Sequence, residues 1–325
     1  MYNLITIGDA LIDTNLFIDE ATLECDVNKQ NCQICLNFAS KIPLTNSFQT
    51  LGGNAANVAA ATAKLGLKTA ILTSIGKDAN GEMVKAELKK DKVDTTLLSM
   101  DKKIKTRYSM VLNFKKERTI LSYHQHRTYN FPKKLPKTDW VYYTSLSEGY
   151  EKFQEDLLKF LNKNSNINLA YNPGSIQLKN LEFTKQVLSK TNILIVNLEE
   201  AKKILGLSSE EKNIKILING LLNLGAKEIV ITNSEAGAWA GNSSGVWHIN
   251  SIPTEVVSKT GAGDAFSAGY LAARFYKHDI ATALSWGIVN SSAAISSSAQ
   301  EKNLLNKKEI SKMISKFSSI KPTKI

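Results

Sequence analysis

From Trp140 onward, short apolar runs alternate with amphipathic stretches at helical spacing, and that rhythm leaves the chain few architectures. It reads as strand 140–144, helix 151–163, strand 167–171, helix 179–189, strand 193–196, helices 198–205 and 211–224, and strand 228–232. Strands joined through helices pair in parallel, and a parallel sheet has to be covered on both faces. The predicted class is therefore α/β with a mostly parallel central sheet. Strand 2–8, helix 54–65, strand 69–75 and helix 80–90 extend the pattern toward the N-terminus. Two segments break it: a long excursion over 14–51, and a hairpin in which Tyr108 to Phe114 and Arg118 to Tyr123 alternate around Lys115-Lys116-Glu117. The expected division is a core of 1–13, 52–104 and 128–325 with a small β-sheet lid made of 14–51 and 105–127. Hairpin strands near Ala236 to Ile249 precede helices 279–299 and 306–317, and the lysine-containing tail after Lys316 is expected to fray.

Within this frame the run Thr260-Gly261-Ala262-Gly263-Asp264-Ala265-Phe266 carries the chemistry. An amphipathic helix opens there, with Ala265, Phe266, Ala268, Leu271, Ala272 and Phe275 on its apolar positions. The first amides of a helix lack internal partners and carry partial positive charge. Glycines let the backbone come close to an anion, so the turn suits a phosphate, and Asp264 stands within reach of whatever attacks it. An anion cradle beside a carboxylate is the minimal kit for phosphoryl transfer. Taken alone, the run is also compatible with a plain tight turn whose aspartate is favoured by the helix dipole. It is not the dinucleotide fingerprint, because Phe266 stands where a third glycine belongs. Nor is there a P-loop, since Gly76-Lys77 is followed by Asp78.

A second run, Leu51-Gly52-Gly53-Asn54-Ala55-Ala56-Asn57, leads into an alanine-rich helix that Gly66 is placed to end. The double glycine again presents bare backbone at a helix start, and Asn57 offers both a donor and an acceptor to a small polar ligand. The first strand, Leu4 to Gly8, is followed by Asp9 and Asp13, just past a carboxyl end where open α/β sheets bind ligands.

Together these segments resemble the ribokinase-like (PfkB) family of carbohydrate and nucleoside kinases. The double-glycine segment with its asparagine matches one family signature, with a further glycine at Gly76, and Gly261 to Asp264 matches the other. Weaker landmarks agree: Ile75 to Gly81, Val93-Asp94-Thr95, Glu117-Arg118-Thr119, Asn197-Leu198-Glu199-Glu200, and Gly225-Ala226 ahead of Val230-Ile231-Thr232. The resemblance spans Gly8 to about Gln300. It implies a three-layer α/β/α sandwich and an ATP-dependent kinase acting on a hydroxyl, most often a primary one, of a sugar or nucleoside. Asp264 takes the role of general base, with the amides of Gly261, Ala262 and Gly263 as anion hole. Asp13, Gly52, Gly53 and Asn57 fall to the acceptor site; Thr232, Ser234, Gly237, Asn290 and Asn197 fall to ATP. Asn197 and Glu200 would orient Mg²⁺, mainly through water. Lids of this family often pair across a two-fold axis, so a homodimer through the lid is expected.

Several positions depart from the family pattern. Ser258-Lys259-Thr260 replaces Asp-Thr-Thr, whose aspartate helps hold a monovalent cation in many members, so the resemblance does not carry that cation over. Ser234 stands where the nucleotide strand usually ends in glycine, and Tyr171 to Ser175 replaces an Asp-x-Asn motif. The excursion after Asp13 is long for a plain lid. Two other readings stay open: a sugar-phosphate kinase resembling phosphofructokinase, drawing cations from Lys105, Arg107 or Arg118, and a sugar- or nucleoside-binding sensor without catalysis.

Charge and composition set the remaining bounds. The formal net charge is +11, but arginine appears only as Arg107, Arg118, Arg127 and Arg274, and the lysines are spread along the chain. Guanidinium is the group suited to bidentate base and phosphate recognition, so no nucleic-acid partner is expected. No stretch approaches the roughly 20 apolar residues needed to span a bilayer. The first residues enter a strand without the basic and apolar regions of a signal peptide, and the expected compartment is the cytoplasm. Cys25, Cys32 and Cys35 all lie in the excursion; reduced thiols are expected there, with a zinc site or a disulfide as alternatives. His124 and His126 alternate on a strand-like run and would share one sheet face, toward the acceptor or toward solvent.

Overall fold

The structure, a computed structural model, describes every residue except 27–31, 116, 259 and 298–302. The hairpin turn at Lys116, the Lys259 position and the last turn of the expected helix 279–299 therefore fall partly outside the described residues. The strands are β1 Tyr2–Ile7, β2 Leu11–Phe17, β3 Thr22–Cys25, β4 Cys32–Cys35, β5 Asn46–Gly52, β6 Thr69–Gly76, β7 Leu98–Asp101, β8 Tyr108–Phe114, β9 Glu117–Tyr123, β10 Thr138–Tyr143, β11 Asn168–Tyr171, β12 Ile193–Asn197, β13 Glu228–Thr232, β14 Ala238–Asn242, β15 Gly245–Ile249 and β16 Thr323–Lys324. The helices are α1 Asn54–Lys64, α2 Ala79–Lys90, α3 Glu151–Lys163, α4 Leu181–Leu188, α5 Leu198–Leu205, α6 Ile214–Asn223, α7 Ala262–Phe275, α8 Ile280–Ile295 and α9 Lys307–Lys316.

A ten-stranded sheet runs in the order β16-β15-β14-β13-β12-β11-β10-β1-β6-β7. It is parallel from β7 through β13 and antiparallel over the last three strands. Alternate side chains of each strand feed different cores, as a pleated sheet requires. Ile5, Ile7, Val141 and Tyr143 pack with α3–α6 on one face, while Leu4 and Tyr142 pack with α1, α7, α8 and α9 on the other. The three-layer α/β/α arrangement follows from that division. The tail does not fray. Thr323 and Lys324 pair with β15, the Ile325 amide donates to Val246 O at 2.9 Å, and the outer edge of the sheet is covered.

Over the carboxyl ends of β1 and β6 sits a separate four-stranded sheet, β5-β2-β8-β9. It takes in Asp13, which lies on β2 opposite Thr50 of β5 and Ser109 of β8. Its roots are clamped to the core. Asp78, the N-cap of α2, accepts from the Thr106 amide at 2.9 Å and the Thr106 hydroxyl at 2.6 Å. Arg127, buried at the other root, donates to Ser74 O and Lys105 O, each at 2.6 Å. A small hairpin of β3 and β4 projects from the excursion, and there the expectation of reduced thiols is corrected. Cys25 and Cys32 stand opposite each other across the hairpin and are joined as a disulfide, leaving Cys35 free. Among the described residues no group of three or more His, Cys, Asp or Glu could hold a metal ion. No helix there is long and apolar enough to cross a membrane.

Candidate active site

Helix α7 begins at Gly261, whose φ of 77° is left-handed and open to glycine without strain. A Cβ built on Gly261 or on Gly263 would meet nothing within 4 Å, so the backbone of this turn faces open space. Among the described residues no side chain caps the helix. The turn is the wall between two cavities. On one side lies a cleft of about 410 Å³ lined by Asn197, Thr232, Ser234, Gly237, Ala262 and Gly263. On the other lies a narrower cavity walled by Asp13, Thr50, Asn57, Thr260 and Gly261. Asp264, in the first turn of α7, accepts from Asn57 Nδ2 at 2.9 Å, which ties the α7 start to α1.

The side of the narrow cavity is built by the lid root and the α1 start. Gly52 lies so close to the Asp13 carboxylate that any Cβ there would collide with it. Beneath them Asp9 is 1% exposed and receives three side chains: Arg107, Tyr129 Oη at 2.7 Å and Ser147 Oγ at 3.3 Å. Arg107 is therefore spent on Asp9 rather than offered to a ligand. It also donates to His124 Nε2 at 3.3 Å, so that ring is neutral with its proton on Nδ1, and burial followed by the Arg107 charge holds its pKa below the ordinary value. The expected alternation of His124 and His126 fails because β9 ends at Tyr123 and the chain has left the sheet; His126 lies instead beside Gly149. Arg118 remains on the lid. By register it shares a face of the sheet with Asp13; burial lowers its pKa, while the charges of Glu117 and Asp13 pull it back up.

On the side of the larger cleft, Asn197 and Glu200 come together as a capping box that starts α5: Asn197 Oδ1 accepts from the Glu200 amide at 2.8 Å, and Glu200 Oε2 accepts from the Asn197 amide at 2.9 Å. Burial pushes the Glu200 carboxyl above its usual value, against the pull of that amide. Asn290 does not line the cleft. It is buried with its amide donated to Ala265 O at 2.7 Å, and its neighbours Ile288 and Ser291 form the wall instead. The Ser234 turn is held from β15 and just beyond it, by His248 Nε2 donating to Ala236 O at 2.9 Å and Ser251 Oγ donating to Glu235 O at 2.7 Å. Asn172, in the segment that departs from the Asp-x-Asn pattern, accepts from Tyr142 Oη at 3.2 Å and donates to Ile195 O at 2.8 Å, bracing strand ends under the site. Burial first, and then the Asp264 charge, raises the Tyr142 pKa well above normal.

Sequence reasoning named Asp9 but missed Thr50 and the partners that hold Asp9, Tyr129 and Ser147. Thr50 was within reach of it, since the pairing of β5 with β2 sets Thr50 directly opposite Asp13. Nothing local marks Tyr129 or Ser147 as partners of Asp9, because they arrive from 120 and 138 residues away.

The chain is 24% identical over 284 residues to the ATP-dependent 6-phosphofructokinase of Thermoanaerobacterium thermosaccharolyticum, covering 83% of this chain and 80% of that one. It is 26% identical over 236 residues to the cytidine kinase of Thermococcus kodakarensis, covering 68% and 79%. Among solved structures, a putative ribokinase II from E. coli in complex with ATP and Mg²⁺ superposes with a TM-score of 0.77 at 18% identity, over 97% of this chain and 100% of that one. The model of the pfkB family of carbohydrate kinases matches residues 13–306. With that match over most of its length, the chain belongs to the pfkB carbohydrate kinase family and is a phosphotransferase that acts on a hydroxyl group.

Proposed function

We propose that the protein transfers the γ-phosphoryl group of ATP to a hydroxyl, most simply a primary one, of a small sugar or nucleoside. The carrying observation is that one helix start is shared by the two cavities, with Thr260 and Gly261 lining one and Ala262 and Gly263 the other. ATP enters the cleft of Thr232, Ser234 and Gly237 and directs its γ-phosphate toward the amides of Gly261, Ala262 and Gly263. The acceptor enters between lid and α1, with its hydroxyls gripped by Asp13, Asn57 and the backbone of Gly52 and Gly53. Asp264 takes the proton of the reacting hydroxyl as that oxygen bonds to the γ-phosphorus. The bond from phosphorus to the β,γ-bridging oxygen breaks, and its electrons leave with ADP.

Asn197 lines the cleft and Glu200 is its capping partner, so the pair fits a hydrated Mg²⁺ better than direct ligation, since each already caps the other. When bound with ATP, that ion would offset the charge on the phosphates. The cytoplasm, where ATP is held, is the compartment this reading implies. The lid (14–51 and 105–127) closes the acceptor side and also suits a two-fold homodimer: Met110, Leu121 and Tyr123 stand exposed on one of its faces, and β9 is an open edge. A sugar-phosphate acceptor is the second reading, favoured by Arg118 on the Asp13 face of the lid.

Asp264→Asn tests the main reading. Turnover should fall about 10²–10⁴-fold, the usual worth of a positioned base, while the melting shift produced by a non-hydrolysable ATP analogue is kept. Near wild-type turnover in that variant would remove Asp264 from its role.

A further inference from the structure

We propose that His248 is a positioning residue for the phosphoryl donor, holding the Ser234 turn in the strained shape that forms one wall of the larger cleft. The inference rests on ATP taking that cleft. Ser234 has a φ of 36°, in the left-handed region that residues other than glycine seldom adopt. Such a conformation persists only where its surroundings over-determine it, and it is typical of turns that hold ligands. The turn joins β13 to β14 and closes on itself, with the Asn233 amide donating to Gly237 O at 2.9 Å and the Ala236 amide to Asn233 O at 2.8 Å. Two further bonds come from outside it. His248 Nε2 donates to Ala236 O at 2.9 Å, and Ser251 Oγ donates to Glu235 O at 2.7 Å. Those carbonyls belong to the two residues after Ser234, so both bonds fix the peptide planes that follow it.

His248 is itself held in place. A carbonyl only accepts, so the ring must carry a proton on Nε2. The ring stacks on Trp239, its partner across β14 and β15, with centroids 4.5 Å apart. The strand that carries it abuts the turn, since a Cβ on Gly237 would strike Ile249 O. Ser234 and Gly237 line the cleft, whereas His248 is not among the described residues that do. Its effect on a nucleotide must therefore pass through the turn. Without this bond Ser234 can relax out of the left-handed region, and apparent affinity falls with the fraction of molecules left in the competent shape. Glycine holds the same φ without penalty, so a glycine at position 234 should make the His248 bond dispensable.

The test is a double-mutant cycle of His248→Phe, which keeps the ring stack and loses the donor, with Ser234→Gly. The readout is the affinity for a non-hydrolysable ATP analogue by titration calorimetry. It is set beside the acceptor KM for whichever of ribose, cytidine or fructose 6-phosphate turns over fastest. His248→Phe should weaken analogue binding about 3- to 10-fold, the worth of one hydrogen bond. The acceptor KM should stay within about twofold, and Tm within about 2 °C of wild type. In the Ser234→Gly background, whatever its own affinity, the same substitution should cost less than about twofold. Ser251→Ala, which removes the second outside bond, serves the same comparison if His248→Phe does not fold. An equal loss in both backgrounds, no loss in either, or a loss shared by the acceptor KM would overturn the assignment. Ser291→Trp, which fills the cleft from α8, should abolish analogue binding and separates that failure from failure of the nucleotide reading. Analogue affinity left unchanged by Ser291→Trp would put ATP elsewhere and take the inference with it.

Discussion

Arg107→Met should destabilise the protein by about 3–4 kcal/mol and should do so through Asp9. Asp9 is 1% exposed and Arg107 7% exposed, so neither charge can reach water when its partner is lost. Removing one member of a buried ion pair usually costs about 3–5 kcal/mol, chiefly because the other charge is stranded. The value here belongs at the lower end, since Asp9 keeps hydrogen bonds from Tyr129 at 2.7 Å and Ser147 at 3.3 Å. For a chain of 325 residues that corresponds to a fall of roughly 5 °C in Tm. The assay is a double-mutant cycle by thermal and urea unfolding, with Asp9→Asn as the second arm. The double variant strands no charge and should be less destabilised than the sum of the singles by about 2 kcal/mol or more. Additive costs, or an Arg107→Met variant within about 1 kcal/mol of wild type, would show that the pair is not the electrostatic unit described.

The other expectations can be checked as directly. Arg118→Met should raise KM at least about tenfold for fructose 6-phosphate while leaving ribose and cytidine nearly unchanged, because only the phosphate gains from a guanidinium; equal effects on all three would count against a sugar-phosphate acceptor. Light scattering at micromolar concentration should give a mass near twice that of the chain, and a strictly monomeric particle with and without acceptor would rule out the lid-mediated homodimer. Burial pushes the Asp78 carboxyl up, but hydrogen bonds from Thr106 and Gly81 outweigh it and hold its pKa below the ordinary 3.8. A depressed carboxyl stabilises the fold above its unfolded value and loses that contribution as pH falls through the folded one. Asp78→Ala should cost about 1 kcal/mol at neutral pH, the usual worth of an N-cap, and the gap from wild type should narrow as pH falls below 3.8; a gap that persists unchanged in acid would refute the charge-based account.

The parallel core was legible because its signals are local. The alternation from Trp140 gave strands and helices within a few residues of β10 through β13 and α3 through α6. The glycine runs likewise announced both helix starts, since neither start has a side-chain cap and Gly53 and Gly261 both hold a positive φ there. What escaped depends on distant partners. Asn290 sits on a late helix, but its amide is consumed by Ala265 O, 25 residues away, in the packing of α7 against α8. The tail after Lys316 is polar enough to suggest fraying, yet backbone pairing with β15 holds Thr323 and Lys324 whatever their side chains. His124 and His126 obey a two-residue period that ceases to matter once the strand stops at Tyr123. The pairing of Cys25 with Cys32 depends on a hairpin register that spacing alone does not specify.

The clamps at the lid root bear on catalysis as much as on stability. Asp13 lies on β2, whose neighbour β8 begins one residue past Arg107 and two past Thr106. Arg107 is bound to Asp9 at the end of β1, Thr106 to Asp78 at the start of α2, and Arg127 to Ser74 O and Lys105 O. All of these partners belong to the strand ends of the core or to the root itself. The root of the sheet that carries Asp13 is therefore anchored to the folded core. Any movement that shuts the acceptor cavity must bend the sheet beyond these anchors, toward the Phe17 and Phe114 ends of β2 and β8. On the proposed function, such an arrangement would keep Asp13, Asn57 and Asp264 in register while the outer part of the small sheet covers the acceptor.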